Sequence, residues 1–105
     1  MSLHMTGAEF TTRRALTGLS VDELSSLMLT SSTRIHDYED GRALISDEHS
    51  AFMTQLVADH TADMEDLLAG HDPIHLGGSR PTNWYRALGV RIAERAPHRH
   101  ILTDY

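Results

Sequence analysis

Hydrophobic residues recur at helical spacing in five segments of this chain, and turn-forming residues separate the segments. The spacing predicts helices over about 7–16, 21–28, 32–40, 48–69 and 82 or 83 to 95. Short strands are predicted over 74–76 and 100–103, where they pair either within one chain or across a dimer. The pattern therefore predicts a mainly α protein with one small β pair.

The fourth predicted helix has the most regular pattern. Asp47 is its predicted N-cap and Gly70 its end. One face is apolar except for a histidine, and its members are Phe52, Met53, Leu56, Val57, His60, Met64, Leu67 and Leu68. At the usual rise per residue the helix is about 33 Å long, which is more than a small four-helix module covers. Part of this face is therefore expected to meet another chain or the C-terminal region.

Residues 18–41 predict two short helices joined by a tight turn. Gly18 suits the end of a first helix, and Ser20 is a good N-cap for the second. Asp22 and Glu23 then place negative charge at the positive end of that helix. Gly41 ends the next one. Two helices of about two turns each with so short a connection are expected to cross steeply, as in a helix-turn-helix.

Residues 14–41 resemble, without a gap, the helix-turn-helix of the Cro/phage-repressor (XRE) family. The matching residues are Arg14, Gly18, Leu19, Ser20, Asp22, Glu23, Leu24, Ser25, Ile35, Tyr38, Glu39 and Gly41. The resemblance implies a lambda-repressor-like helical bundle with a long fourth helix and a small C-terminal helix. In that family an arginine late in the first helix pairs with a glutamate ending the third. The resemblance therefore implies a buried ion pair between Arg14 and Glu39.

Two further segments, 41–48 and 84–88, resemble small bacterial and phage regulators that include the repressors of anti-CRISPR operons. This resemblance is loose in the last third of the chain. The predicted organisation is a helix-turn-helix DNA-binding domain over 5–70 and a dimerisation or accessory region over 71–105. Residues 1–4 are interpreted as an expression remnant, because Met5 is a second candidate start.

The resemblance implies that the third helix reads a major groove while the N-termini of the second and third helices hold phosphates. The candidate DNA-binding residues are Ser20, Val21, Ser31, Ser32, Thr33, Arg34, His36, Asp37 and Arg42. Val21 stands where relatives often carry a glutamine and cannot form a side-chain hydrogen bond. Leu29 stands where most relatives have glycine. Because leucine takes a positive φ only with strain, a more open turn or a longer second helix is expected.

The net charge of −6 argues against nonspecific binding to nucleic acid, which depends on neutralising phosphates. The chain has 15 acidic residues and 9 arginines, with no lysine. The distribution of charge along the chain weakens this argument, since the fourth helix and its cap carry acidic residues and no arginine. Their acids are Asp47, Glu48, Asp59, Asp63, Glu65 and Asp66. The acidic charge is thus expected to lie away from the third helix.

Other chemistry finds little support in the sequence. There is no cysteine, and no nucleophile motif, glycine-rich phosphate loop or metalloprotease motif occurs. The histidines at 71, 75, 98 and 100 form the one candidate metal cluster and are interpreted as surface residues. We therefore predict no enzyme activity, no metal, no cofactor and no small-molecule effector. No membrane span or signal peptide is predicted either, which favours a cytoplasmic protein.

These patterns lead to one main hypothesis and one alternative. The main hypothesis is a homodimeric regulator that binds specific sequences in double-stranded DNA and acts as a repressor. The alternative is a helix-turn-helix-derived module that binds proteins, such as an antitoxin or a decoy, with weak or no DNA binding. Val21, Leu29, Asp37 and the acidic total favour the alternative.

Overall fold

A computed structural model describes residues 4–105 of the chain, and 63% of these described residues are helical. The elements in order are α1 (Gly7–Thr17), α2 (Val21–Met28), α3 (Ser32–Glu39), α4 (Asp47–Ala69), β1 (Ile74–Leu76), α5 (Thr82–Arg95) and β2 (Ile101–Thr103). The mainly α prediction is confirmed, and each predicted helix is present to within about one residue at either end. Residues 1–3 of the suggested expression remnant lie outside the described residues.

Side-chain caps set the beginnings of the first four helices. Thr6 and Ser20 open α1 and α2 with reciprocal capping boxes, in which Glu9 and Glu23 reach back to the cap backbone. The prediction for α4 is wrong by one position, because Ser46 is the N-cap and Asp47 is already helical. Both residue types cap well, so the sequence alone did not distinguish them. The third helix also ends one residue before the predicted Asp40.

The turn between α2 and α3 is tight despite the leucine in it. Leu29 adopts the left-handed conformation, with φ 56° and ψ 44°, and its N–H group bonds back to the carbonyls of Ser25 and Ser26. Its side chain is 91% exposed. The expectation of a more open turn or a longer helix is therefore wrong. Full exposure leaves the side chain free of clashes, but the backbone keeps the cost of a positive φ.

The core joins all five helices. Phe10 of α1 packs on Tyr38 of α3 with ring centroids 5.5 Å apart, and α1 also contacts α4 and α5. Gly18 lies at φ 78°, and a Cβ there would come within 2.4 Å of the Asn83 carbonyl oxygen. The start of α5 is therefore seated directly on the turn between α1 and α2.

The C-terminal region completes the core. β1 and β2 pair in parallel within one chain, with Ile74 opposite Ile101 and Leu76 opposite Thr103. Ile74 and Leu76 are buried, and β1 packs on α4 and α5. Trp84, Leu88 and Ile92 of α5 are buried as well, and α5 packs on α4. The apolar face of α4 was expected to meet either another chain or the C-terminal region. In this structure the C-terminal region packs on it, through α5 and β1.

Candidate functional site

Residues 20–42, which we call the α2–α3 unit, contain every candidate DNA-binding residue. Leu24 and Met28 of α2 and Ile35 and Tyr38 of α3 are buried. The apolar side chains of α3 thus face the core at helical spacing. The opposite side of α3 exposes Thr33, Arg34 and His36 to solvent, while Asp37 is half-buried.

Two of the candidate serines cap helices. The Ser20 hydroxyl accepts from the Glu23 N–H group at 3.1 Å, and the Ser20 N–H group donates to the Glu23 carboxylate at 2.8 Å. The Ser31 hydroxyl accepts from the Arg34 N–H group at 3.1 Å. A hydroxyl that accepts one hydrogen bond still has its own proton to donate. Both serines therefore hold the helix ends and keep a donor for another partner.

Ser32 differs from the other candidate serines, because its hydroxyl bonds to another helix. Its hydroxyl donates to the Asp22 carboxylate at 2.8 Å and lies 3.4 Å from the Ser25 hydroxyl oxygen. The side chain therefore bridges α3 to α2, and its contact with DNA stays a prediction. A carboxylate is a stronger acceptor than water or a base edge, so it holds this proton. Ser32 is better described as a link between the two helices.

The two candidate arginines of the unit are exposed. Within residues 4–105, neither Arg34 nor Arg42 forms an ion pair. After Gly41 the chain folds back on α3, because the Arg42 N–H group donates to the Asp37 carbonyl oxygen at 2.8 Å. This backbone bond holds Arg42 beside the end of α3. Two guanidinium groups are thus presented near α3 without a protein carboxylate.

An ion pair holds the C-terminal end of α3 to α1. Arg14 donates to both oxygens of the Glu39 carboxylate, from Nε at 2.6 Å and from Nη2 at 2.9 Å. A third bond runs from Arg14 Nη1 to the Leu19 carbonyl oxygen at 3.1 Å. Hydrogen bonding to Glu39 raises the pKa of Arg14 above its usual value. The two side chains are 21% and 13% exposed, so the pair is present and largely shielded from water.

Two more contacts support the unit, and no sequence signal indicated either. The Tyr38 hydroxyl lies 2.7 Å from His49 Nδ1, which joins α3 to α4. The Asn83 amide donates to the Glu23 carboxylate at 2.9 Å, which joins α5 to the capping box of α2. The bond from the Ser20 backbone is the main cause of the lowered pKa of Glu23, and Asn83 adds to it. Contacts across such sequence separations leave no local periodicity to read.

A buried polar network between α4 and α5 was also missed. His60 is fully buried and its Nε2 lies 3.1 Å from the Trp84 carbonyl oxygen, while Arg91 Nη1 lies 2.8 Å from its Nδ1. A guanidinium only donates, so Nδ1 accepts and the ring proton sits on Nε2. Burial is the main cause of the lowered pKa of His60. The Trp84 indole N–H group donates to Asp63 at 2.9 Å. Sequence analysis placed His60 on the apolar face of this helix but indicated none of its partners.

Two other kinds of site are absent from residues 4–105. No three histidine, aspartate or glutamate side chains are grouped to hold a metal ion anywhere in residues 4–105. No helix in that range combines the length and apolarity that a bilayer span requires. No protein-family model, curated protein or solved structure matches the chain. The α2–α3 unit therefore carries the evidence that bears on function.

Proposed function

We propose that this protein binds specific sequences in double-stranded DNA as a homodimer and represses transcription by blocking a promoter. One observation carries the proposal. The α3 helix is fixed from beneath by Ile35 and Tyr38, while Thr33, Arg34 and His36 face solvent without side-chain hydrogen bonds to residues 4–105. A short, rigidly held helix with exposed donors and a cation has the properties that major-groove recognition requires.

Each exposed group has a role in this proposal. Thr33 and His36 form hydrogen bonds to base edges, and Arg34 and Arg42 contact phosphates or a guanine. The N-termini of α2 and α3 add backbone dipoles next to phosphates, where Ser20 and Ser31 keep a free donor. Asp37 accepts from a cytosine amino group. Val21 packs partly against the core and therefore offers only apolar contact.

The charge distribution is compatible with this proposal. The net charge of −6 includes the acids of α4, which has no basic residue. Within the α2–α3 unit Glu39 is paired with Arg14, whereas Asp22 and Glu23 accept from the neutral side chains of Ser32 and Asn83 and keep their negative charge. Arg34 and Arg42 are in no ion pair with the described residues, so both guanidinium groups can contact phosphates directly. A twofold dimer would present two α3 helices to half-sites about one helical turn apart.

In-vitro selection from random DNA duplexes, followed by titration at two salt concentrations, tests the proposal. Arg34→Ala and Arg42→Ala should each weaken binding to the selected sequence and reduce the salt slope by about 1. Thr33→Ala and His36→Ala should change the preferred base pairs at fixed salt instead. Arg95→Ala, which removes one exposed charge from the end of α5, is the matched control and should leave both properties unchanged.

One observation favours the alternative of a protein-binding module. Leu29 and Leu44 are 91% and 80% exposed on either side of α3 along the chain. Burying an exposed leucine in an apolar groove of a protein partner is favourable, whereas a phosphate backbone offers a leucine no such burial. Failure of a well-folded protein to enrich any DNA sequence at low salt would overturn the repressor proposal and favour this alternative.

A further inference from the structure

The sheet within residues 4–105 has two strands, so one edge of β2 faces away from β1; we call it the outer edge of β2. The Ile74 N–H group donates to the His100 carbonyl at 2.7 Å, and the Asp104 N–H group donates to the Leu76 carbonyl at 2.7 Å. With Ile74 opposite Ile101, the backbone groups of Leu102 also face β1. The N–H and C=O groups of Ile101 and Thr103 therefore point to the other edge.

This outer edge is suited to pairing with another strand. In residues 4–105 no further strand pairs with β2, and Leu102 is 50% exposed. An edge with unpaired backbone groups is a template for strand addition. A sheet of two three-residue strands is only marginally stable by itself. Additional strands would increase the stability of the sheet.

We propose that a second copy of this chain binds at this edge, with the two β2 strands antiparallel about a twofold axis at Leu102. A twofold axis that relates identical neighbouring strands necessarily makes them antiparallel. Ile101 then lies opposite the partner's Thr103, and Thr103 lies opposite the partner's Ile101. Each pair exchanges two hydrogen bonds, so all four outward N–H groups and their carbonyls are satisfied.

Side-chain complementarity selects this register. Centring the axis on Leu102 brings the two Leu102 side chains together and places His100 opposite the partner's Asp104, twice by symmetry. Side chains two residues apart share a face of the strand, so these pairs lie on one surface. His75 lies on the same surface, where its Nδ1 is 3.2 Å from Asp104 Oδ1. A slip of two residues in either direction would place Leu102 opposite His100 or Asp104. The sequence of β2 and its flanks is therefore complementary to itself in one register.

The inference rests on the homodimer of the proposed function and specifies its interface, which is a continuous four-stranded sheet. It does not depend on whether the protein binds DNA. The two α2–α3 units would be joined through α5, which is seated on the turn between α1 and α2 and contacts β1.

Disulfide trapping tests the pairing directly, because the chain has no cysteine of its own. The two Leu102 residues form a non-hydrogen-bonded pair, with a Cα separation of about 4.5 Å that a disulfide spans. Leu102→Cys should give mostly covalent dimer under mild oxidation at micromolar concentration. The control is Val90→Cys on α5, whose side chain is 61% exposed and so more open to random collision. It should cross-link more slowly by about tenfold or more, because only position 102 is held next to its counterpart at high effective concentration.

A second variant removes a hydrogen-bond donor of the outer edge and keeps the pairing with β1. Thr103→Pro deletes an outward N–H group in each protomer, whereas Thr103→Ala keeps it. Loss of two interchain hydrogen bonds should raise the dimer dissociation constant about tenfold or more in sedimentation equilibrium, with no change for Thr103→Ala. The near-ultraviolet circular dichroism of Trp84 reports whether the core is intact.

The outcomes separate this inference from the proposed function. Equal cross-linking of Leu102→Cys and Val90→Cys, or unchanged dimerisation of Thr103→Pro, overturns the β2 pairing. In that case selection of DNA sequences by the wild-type protein still decides the repressor proposal. Rapid cross-linking at position 102 in a protein that selects no DNA supports the pairing and overturns the repressor proposal alone.

Discussion

The α4–α5 interface and the outer face of α3 are both rich in polar side chains, but they use them in opposite ways. In the interface His60 has a partner at each ring nitrogen, and the Trp84 indole donates to Asp63. On α3 the side chains of Arg34 and His36 are exposed and form no hydrogen bond with the described residues. The interface polarity therefore fixes the fold, while the α3 polarity is available to an external partner.

The physical reason for this difference is access to water. A polar group buried between helices loses its hydration, so it persists only where the protein supplies a partner. No buried side-chain nitrogen or oxygen of the described residues lacks one. A polar group on an exposed helix face is hydrated at no cost and can exchange water for a ligand. Changes in the first class should alter stability, and changes in the second should alter recognition.

The largest expected effect is that of Glu39→Ala, which breaks the support beneath α3. The variant leaves the Arg14 guanidinium largely shielded and without its carboxylate, so the free energy of unfolding should fall by about 2 kcal/mol. Urea unfolding measures it. His36→Ala, on the exposed face of the same helix, should stay within about 0.5 kcal/mol of wild type. An equal loss in both variants would contradict the distinction between support and outer face.

The pH dependence of stability tests the interface. Because burial lowers the pKa of His60 in the folded protein, the unfolded chain binds a proton at higher pH than the folded one. The contribution of His60 to the free energy of unfolding is therefore complete above pH 6.5, the usual pKa of histidine. It is lost as the pH falls through the lower pKa that His60 has in the folded protein. The slope it adds approaches about 1.4 kcal/mol per pH unit between these values.

Urea unfolding at pH 7.5, 6.5 and 5.5 measures this contribution. His60→Gln is the matched control, since its amide can donate to the Trp84 carbonyl and accept from Arg91 without titrating. The variant should lose less stability than wild type between pH 6.5 and 5.5. Identical slopes in the two proteins would show that other histidines produce the acid sensitivity.

The smallest expected effect is a gain in stability from Leu29→Gly. The positive φ of Leu29 costs a residue with a Cβ about 1 kcal/mol, and glycine removes most of that cost. Leu29→Ala also removes the exposed leucine side chain but keeps the Cβ, so it should show no gain in stability. The difference between the two variants therefore reports the effect of the Cβ on the backbone. The thermal midpoint measures both variants. Equal midpoints for glycine and alanine would mean that the relief of strain does not exceed the larger backbone entropy that glycine loses on folding.

Local signals predicted much of the fold and part of the candidate site. Helical spacing and caps are determined by residues within a few positions of each other, so the bounds of α2 and α5 were close to those observed. The resemblance of residues 14–41 implied the ion pair between Arg14 and Glu39, which the structure contains. By contrast, the bond from Ser32 to Asp22 was missed, because it depends on how α2 and α3 pack.

The sequence by itself determined the helical elements, their ends to within about one residue and the separation of apolar from polar faces, because these depend on short-range periodicity and backbone chemistry. Only the tertiary structure decided that Leu29 takes a left-handed turn, that Asn83 joins α5 to the α2 cap and that His60 is neutral within a closed network. Each of these depends on groups brought together by packing and on the exclusion of water between them. It also decided the parallel pairing of β1 with β2, which leaves the outer edge of β2 exposed.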